Sequence, residues 1–106
     1  MTNKIYSIGE RITADTFKPG DVVQLSVWCG VVQDVYASAH TGEIVLKILF
    51  AKNIFKGQPA ELHTAHDLQG KLKRANVSQL AAEIELLQQG LARRLKSLTH
   101  PEDPQP

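Results

Sequence analysis

The sequence predicts an α+β domain in which a small antiparallel barrel of five short strands comes before one long C-terminal amphipathic helix. Two periodicities carry this prediction. Within residues 17–75, apolar and polar residues alternate in segments separated by turn-forming residues, which is typical of short strands. Within 76–99, apolar residues recur every three or four positions, which is typical of a helix with one apolar side. Residues 1–16 are predicted to form an N-terminal extension, and 100–106 a flexible tail.

The length and composition indicate a single globular domain. A chain of 106 residues, with 42% hydrophobic and 22% charged residues, is neither disordered nor fibrous in composition. A formal net charge of +1 excludes a strongly basic protein that binds nucleic acid over its whole surface, but it permits a local basic patch. The single cysteine, Cys29, cannot form an intramolecular disulfide, and no run approaches the ~18 apolar residues of a membrane span. We therefore expect a cytoplasmic protein.

A Pro-Gly turn opens the first predicted hairpin. Pro19 presets φ and Gly20 accepts a positive φ, so the chain turns directly into a strand over Val22–Leu25. A second strand is predicted over residues 30–36. Because the link between them, around residues 28–30, is short, we expect the two strands to pair in antiparallel fashion.

Three further strands complete the predicted barrel. The alternation is strongest over Ile44–Phe50, and the following residues 53–59, which contain a glycine and a proline, are predicted to form a loop. Weaker strands are predicted over residues 61–64 and 71–74. The segment 65–68 between them is predicted to form a single 3₁₀ turn.

The long helix has a clear start and end. Asn76 is a good N-cap, and Gln79 three residues later completes the spacing of a capping box. Pro101 disfavours helical angles in the residue before it, so we expect the helix to end near Leu98 or Thr99. The apolar stripe consists of Val77, Leu80, Ile84, Leu87, Leu91, Leu95 and Leu98.

The order of turns and strands resembles that of SH3-like small β-barrels of the KOW and Tudor kind. The resemblance covers residues 17–75: a Pro-Gly-Asp turn running into Val-Val-Gln-Leu, the strand Gly-Val-Val-Gln-Asp-Val, and a short fourth strand that meets a 3₁₀ turn before the fifth. It implies a five-stranded barrel. Members of that fold mostly bind RNA, ribosomal surfaces, methylated side chains, proline-rich peptides or larger assemblies, so the resemblance implies binding without selecting the ligand.

No sequence motif favours catalysis. The glycines are isolated from one another, so no phosphate-binding loop is predicted, and no motif pairs two carboxylates. His63, His66 and Asp67 would form a metal site only if Cys29 or His40 completed the ligand set, and ordinary surface histidines are the commoner meaning of this pattern. We therefore predict no metal site, no cofactor and no enzymatic activity.

Three aromatic residues lie near predicted loops. Trp28, Tyr36 and Phe55 are expected to converge on one rim of the barrel, where they would stack on a base, a methylated ammonium group or a proline. The alternative is that Trp28 and Phe55 close the two ends of the barrel as core residues.

A basic surface provides an alternative binding site for nucleic acid. If the third, fourth and fifth strands are neighbours, five positive charges lie on a common face and contact phosphates. These residues are Lys52, Lys56, Lys71, Lys73 and Arg74.

The helix stripe predicts a partner protein. A compact domain of this size has a radius of gyration of about 13 Å. The stripe is longer than such a domain can cover along one side. Leu86 adds to this expectation because it points nearly opposite Ile84. We therefore predict a non-catalytic interaction module that self-associates or docks on another protein through the aromatic rim and the helix, with nucleic-acid binding as the alternative. The predicted helix contacts are Leu86, Leu87, Leu91 and Leu95.

Overall fold

A computed structural model of the protein describes residues 11–99. The predicted tail and the first ten residues of the predicted N-terminal extension lie outside this range. The described part confirms the α+β class, with an antiparallel sheet followed by a long C-terminal helix. The elements are β1 (Val22–Leu25), β2 (Trp28–Ala37), β3 (Ile44–Phe50), α1 (Ala51–Lys56), β4 (Glu61–Thr64), α2 (Ala65–Leu68), β5 (Leu72–Arg74) and α3 (Val77–Thr99).

The five strands form one sheet with the order β4-β3-β2-β1-β5. Consecutive strands β1 to β4 pair as antiparallel neighbours, and β5 returns to pair with β1. Within residues 11–99 no hydrogen-bonded ladder joins β4 to β5. The predicted closure of the sheet into a barrel is therefore not seen in the strand pairing, and α2 connects the two edge strands in the chain.

The first hairpin turns earlier than the sequence predicts. Leu25 pairs with Trp28, so the turn consists of Ser26 and Val27 rather than residues 28–30. Ser26 has a φ of 59°, the positive value that a two-residue hairpin turn requires at its first central position. As a result, Trp28 belongs to β2 and its side chain packs against the buried core.

The predicted loop at residues 53–59 is wrong in its first half, because Ala51–Lys56 form the short helix α1. Gly57 ends α1 in the left-handed conformation with a φ of 69°, and its N–H donates to the carbonyl of Ile54 at 3.1 Å. A helix of six residues is too short to show a period of 3.6 in the sequence. Gly57 is the one feature of this segment that indicates the end of a helix.

The remaining elements follow the prediction closely. The third and fourth strands have the predicted bounds, and the fifth begins one residue late, at Leu72. The segment Ala65–Leu68 is a turn of α-helix rather than a 3₁₀ turn, and its N-cap Thr64 accepts a hydrogen bond from the Asp67 N–H at 3.1 Å. None of the helices within residues 11–99 combines the length and the hydrophobicity that crossing a membrane requires.

The hydrophobic core lies on one face of the sheet, and α3 packs on the other. Side chains alternate between the two faces along each strand, so Val32 points into the core whereas Val31 points toward α3. The buried core consists of Ile12, Phe17, Val23, Val32, Leu46, Ile48, Phe50, Ala65, Leu68 and Leu72.

Gly30 is expected to be indispensable for the contact between β2 and β3. A Cβ atom at this position would lie 2.8 Å from the Leu49 carbonyl oxygen and 2.9 Å from the Phe50 Cα, and both are backbone atoms that move only with their strand. We expect Gly30→Ala to lower the free energy of unfolding by roughly 1–3 kcal/mol, measured by urea denaturation. The control is Gly90→Ala in α3, where a Cβ meets nothing within 4 Å and helix propensity favours alanine by about 1 kcal/mol. Equal stability of the two variants would contradict the close approach.

Candidate functional site

The predicted capping box sets the start of α3. The Asn76 N–H donates to Gln79 Oε1 at 3.0 Å, and the Gln79 N–H donates to Asn76 Oδ1 at 2.8 Å. This reciprocal pair satisfies two of the amide groups that have no partner within the helix. Because the capping box fixes the residue at which α3 begins, it also fixes the direction in which the apolar stripe of α3 faces relative to the sheet.

The first half of α3 packs over the outer face of the sheet and borders an apolar groove. Leu80 and Ile84 are half-buried there, and α1 forms the facing wall. Ile54 of α1 lines the groove and is 63% exposed. The groove has a volume of about 210 Å³ and is lined by Val31, Leu49, Ala51, Ile54, Phe55, Leu80 and Ile84.

The second half of α3 extends beyond the sheet and leaves its apolar side uncovered. Leu87 is half-buried, whereas Leu91, Leu95 and Leu98 are 46%, 52% and 74% exposed. The radius of gyration of 17.4 Å exceeds the value of about 13 Å typical of a compact domain of this length, as a projecting helix requires. We call these four residues the leucine face.

Leu86 does not belong to the leucine face. It is 67% exposed. Two residues along the helix correspond to a rotation of about 200°, so its side chain points away from that of Ile84. Leu86 therefore lies on a different side of α3 from the other three predicted contacts, and only the leucine face continues the surface that packs on the sheet.

Glu83 ties α3 to β2 at the edge of the groove. The pairing of β2 with β3 starts at Gly30, so the Cys29 amide lies beyond the end of that ladder, and its N–H donates to Glu83 Oε1 at 2.8 Å. The second oxygen, Oε2, is buried and has no hydrogen-bond partner among the described residues. Burial and then the adjacent Glu83 carboxylate raise the pKa of the Cys29 thiol. A nucleophilic cysteine requires the opposite shift, so this arrangement favours a structural role for Cys29.

A second polar cluster surrounds Glu61 on β4. Asn53, which is 1% exposed, donates from Nδ2 to Glu61 Oε2 at 2.9 Å. Lys52 Nζ lies 3.3 Å from the same oxygen, and His63 Nε2 lies 2.9 Å from Oε1. The hydrogen bond from Asn53 is the largest cause that lowers the pKa of Glu61 from its usual 4.5 to about 2, with His63 and Lys52 contributing and partial burial opposing.

The three aromatic residues predicted to share a rim do not come together. Trp28 is half-buried against the core, and the ammonium group of Lys52 lies 5.3 Å from its ring centroid and 5.8 Å from that of Phe50. Phe55 lines the groove on the outer face of the sheet. Tyr36, which is 39% exposed, lies eight residues further along β2, roughly 26 Å away at 3.3 Å per residue. The packing of Trp28 supports the alternative in which it closes the core.

The basic residues of the alternative site fall into two groups. Lys52 and Lys56 lie on α1, whereas Lys71, Lys73 and Arg74 lie on or next to β5. The nucleic-acid alternative assumes that the third, fourth and fifth strands are neighbours. Because β5 pairs with β1, however, strands β1 and β2 lie between β5 and β3. Lys52 forms an ion pair with Glu61, and Arg74 forms one with Asp21 at 3.3 Å. The other three, Lys56, Lys71 and Lys73, are exposed.

The histidines do not assemble into a metal centre in the described part of the chain. His63 contacts Glu61, while His66 and His40 are exposed. Between residues 11 and 99, no group of three or more histidine, cysteine or acidic side chains is arranged to hold a metal ion.

Comparison of the chain with models of protein families, with curated proteins and with solved structures finds no match. The candidate site is therefore defined by geometry alone: the leucine face and the apolar groove beside it. Three of the four residues of the leucine face are among the contacts that the sequence predicts. The groove is not predictable from the sequence, because Val31 and Leu49 come from different strands and Ile54 lies in α1, within the segment predicted to form a loop.

The Glu61 cluster is expected to make stability depend on pH in the acid range. A carboxyl group whose pKa falls from 4.5 to about 2 on folding stabilises the protein above about pH 4.5, and this contribution disappears as the pH falls toward 2. We expect Glu61→Gln to lower the free energy of unfolding at pH 7 by about 1–2 kcal/mol, allowing for the partial exposure of the group. The difference from the wild type should shrink between about pH 5 and 2 in urea titrations. Glu85→Gln, at an exposed position on α3, is the control, and an identical pH dependence in both variants would contradict the assignment.

The contact between Glu83 and Cys29 is expected to control the reactivity of the thiol. Glu83→Gln removes the negative charge beside Cys29 but keeps an oxygen that accepts its N–H. The thiol pKa should therefore fall, and the rate of alkylation by iodoacetamide at pH 8 should rise a few-fold, on the order of the change in thiolate fraction. Glu85→Gln again serves as the control. An unchanged rate in Glu83→Gln would show that burial alone determines the reactivity.

Proposed function

We propose that this protein is a non-catalytic interaction module that docks on another polypeptide through the leucine face of α3. The observation that carries the proposal is the exposure of Leu91, Leu95 and Leu98, at 46%, 52% and 74%, on the side of the helix whose first half already packs against the sheet. The polypeptide is either a second copy of the chain or another protein.

The arrangement of these leucines supports docking more strongly than their number does. A single exposed leucine is ordinary on a protein surface. Here the exposed residues succeed one another at helical spacing and continue into the apolar groove at Ile84, which makes one contiguous apolar surface. Contiguous surfaces of this kind mark sites of protein interaction, and burying each leucine fully contributes about 1.5–3 kcal/mol.

Two parts of the sequence prediction are not included in this proposal. The aromatic rim is left out because its three members lie apart. Nucleic-acid binding stays a prediction, since Lys52 and Arg74 are engaged with carboxylates of the same chain. We place the module in the cytoplasm, where the free thiol of Cys29 would remain reduced.

The proposal is tested by affinity capture from extract with the full chain as bait. We expect a specific polypeptide, either the untagged chain itself or another protein, to be retained by the wild type and lost with the double variant Leu91→Ser, Leu95→Ser. The physical reason is that both substitutions remove apolar area from the contact while leaving the part of α3 that packs on the sheet unchanged. Retained proteins are identified by mass spectrometry.

The matched control is Leu62→Ser on β4, because Leu62 is 60% exposed and does not line the groove. This variant should retain the same polypeptide as the wild type. Circular dichroism of all three baits establishes that each is folded. Capture that is absent, or that persists in the double variant, would overturn the proposal.

A further inference from the structure

We infer that the polypeptide covering the leucine face is a second copy of this chain, with the two α3 helices antiparallel and related by a two-fold axis at Leu91. This inference rests on the proposed function of the leucine face and names its partner. Three features carry it: the symmetric spacing of the apolar residues, the distribution of charge along α3, and the position of the groove.

Five apolar positions in the second part of α3 are arranged symmetrically about Leu91. Going outward from this residue, Leu87 and Leu95 lie four positions away, and Ile84 and Leu98 lie seven positions away. When two copies of a helix pair antiparallel about a two-fold axis, each residue meets the one at the equal and opposite distance. Leu91 then meets its counterpart, Leu87 meets Leu95, and Ile84 meets Leu98, so each of these five apolar residues faces an apolar residue of the other copy.

The charges of α3 favour the antiparallel over the parallel arrangement. Glu83 and Glu85 lie in the first half of the helix, whereas Arg93, Arg94 and Lys96 lie in the second half. Parallel pairing would bring the two basic halves together, within about one Debye length of each other. Antiparallel pairing about Leu91 instead places Lys96 opposite position 86 of the other copy, next to its Glu85, and also opposes the two helix dipoles.

The groove provides room for the end of the second helix. Ile84 forms part of its wall, and Leu98 of the second copy would lie against Ile84 in the symmetric pairing. Leu98 is the most exposed residue of the leucine face, at 74%, and it lies near the end of α3. The same chain thus carries both an apolar projection and an apolar recess at equal distances from Leu91, as a self-complementary interface requires.

The first test is the mass of the purified full chain in sedimentation equilibrium over a dilution series. We expect a reversible dimer of twice the 11.7 kDa of one chain. Leu91→Ser should weaken dimerisation by roughly 100-fold, because the substitution acts on both copies at the two-fold axis. Leu62→Ser, an exposed leucine on β4, should leave the dissociation constant unchanged.

The second test is the orientation of the helices, probed with a short bismaleimide cross-linker. Leu91→Cys lies on the two-fold axis and should cross-link to itself efficiently. Leu98→Cys should not, because the two copies of residue 98 are roughly 21 Å apart at 1.5 Å per residue. The wild type controls for reaction at the native Cys29, which is 5% exposed.

The outcomes separate this inference from the proposed function. Self-cross-linking of both cysteine variants would indicate parallel pairing and overturn the antiparallel arrangement. A monomer at every concentration would overturn the inference altogether. If affinity capture then still retained another protein in a manner dependent on Leu91 and Leu95, the proposed function would stand with a different partner. If capture failed as well, both would fall.

Discussion

The organisation of this protein depends on how the first half of α3 covers the outer face of the sheet. The central strands β2 and β3 carry apolar side chains on both faces of the sheet. The core buries one face, so Val31 and Leu49 on the other face require a second element to remove them from water. Leu80 and Ile84 provide it, and the hydrogen bond from the Cys29 amide to Glu83 ties the helix to β2 at this point. Removing this cover would expose apolar sheet as well as apolar helix.

The same packing determines what the second half of α3 does. A helix is a rigid rod, so its direction is set where its first half is held, and the remaining turns carry their apolar residues beyond the sheet. Leu80 and Leu95 are chemically alike and lie on the same stripe, yet one stabilises the fold and the other is exposed. Packing on the sheet and exposure to solvent are thus divided along one helix.

The polar clusters illustrate why residue types alone did not identify a site. Trp28 is predicted to form part of a ligand-binding rim, and Lys52 is predicted to contact phosphate. In the structure the Lys52 ammonium group lies over the Trp28 ring and also pairs with Glu61, so both side chains are engaged within the chain. The partners Asn53 and Glu61 come from α1 and β4, and their pairing is a tertiary contact that no spacing along the chain indicates. These groups stabilise the edge of the sheet.

Local interactions allowed the sequence by itself to determine the α+β class, the positions of β3 and β4, the capping box at Asn76 and the apolar stripe of α3, because each depends on residues only a few positions apart. Only the tertiary structure decided that the first hairpin turns at Ser26, that α1 forms, and that β5 pairs with β1 rather than with β4. It also decided which leucines of α3 are covered. The reason is physical: burial is a relation between segments distant in sequence, and a periodic pattern records that a side chain is apolar without recording what lies against it.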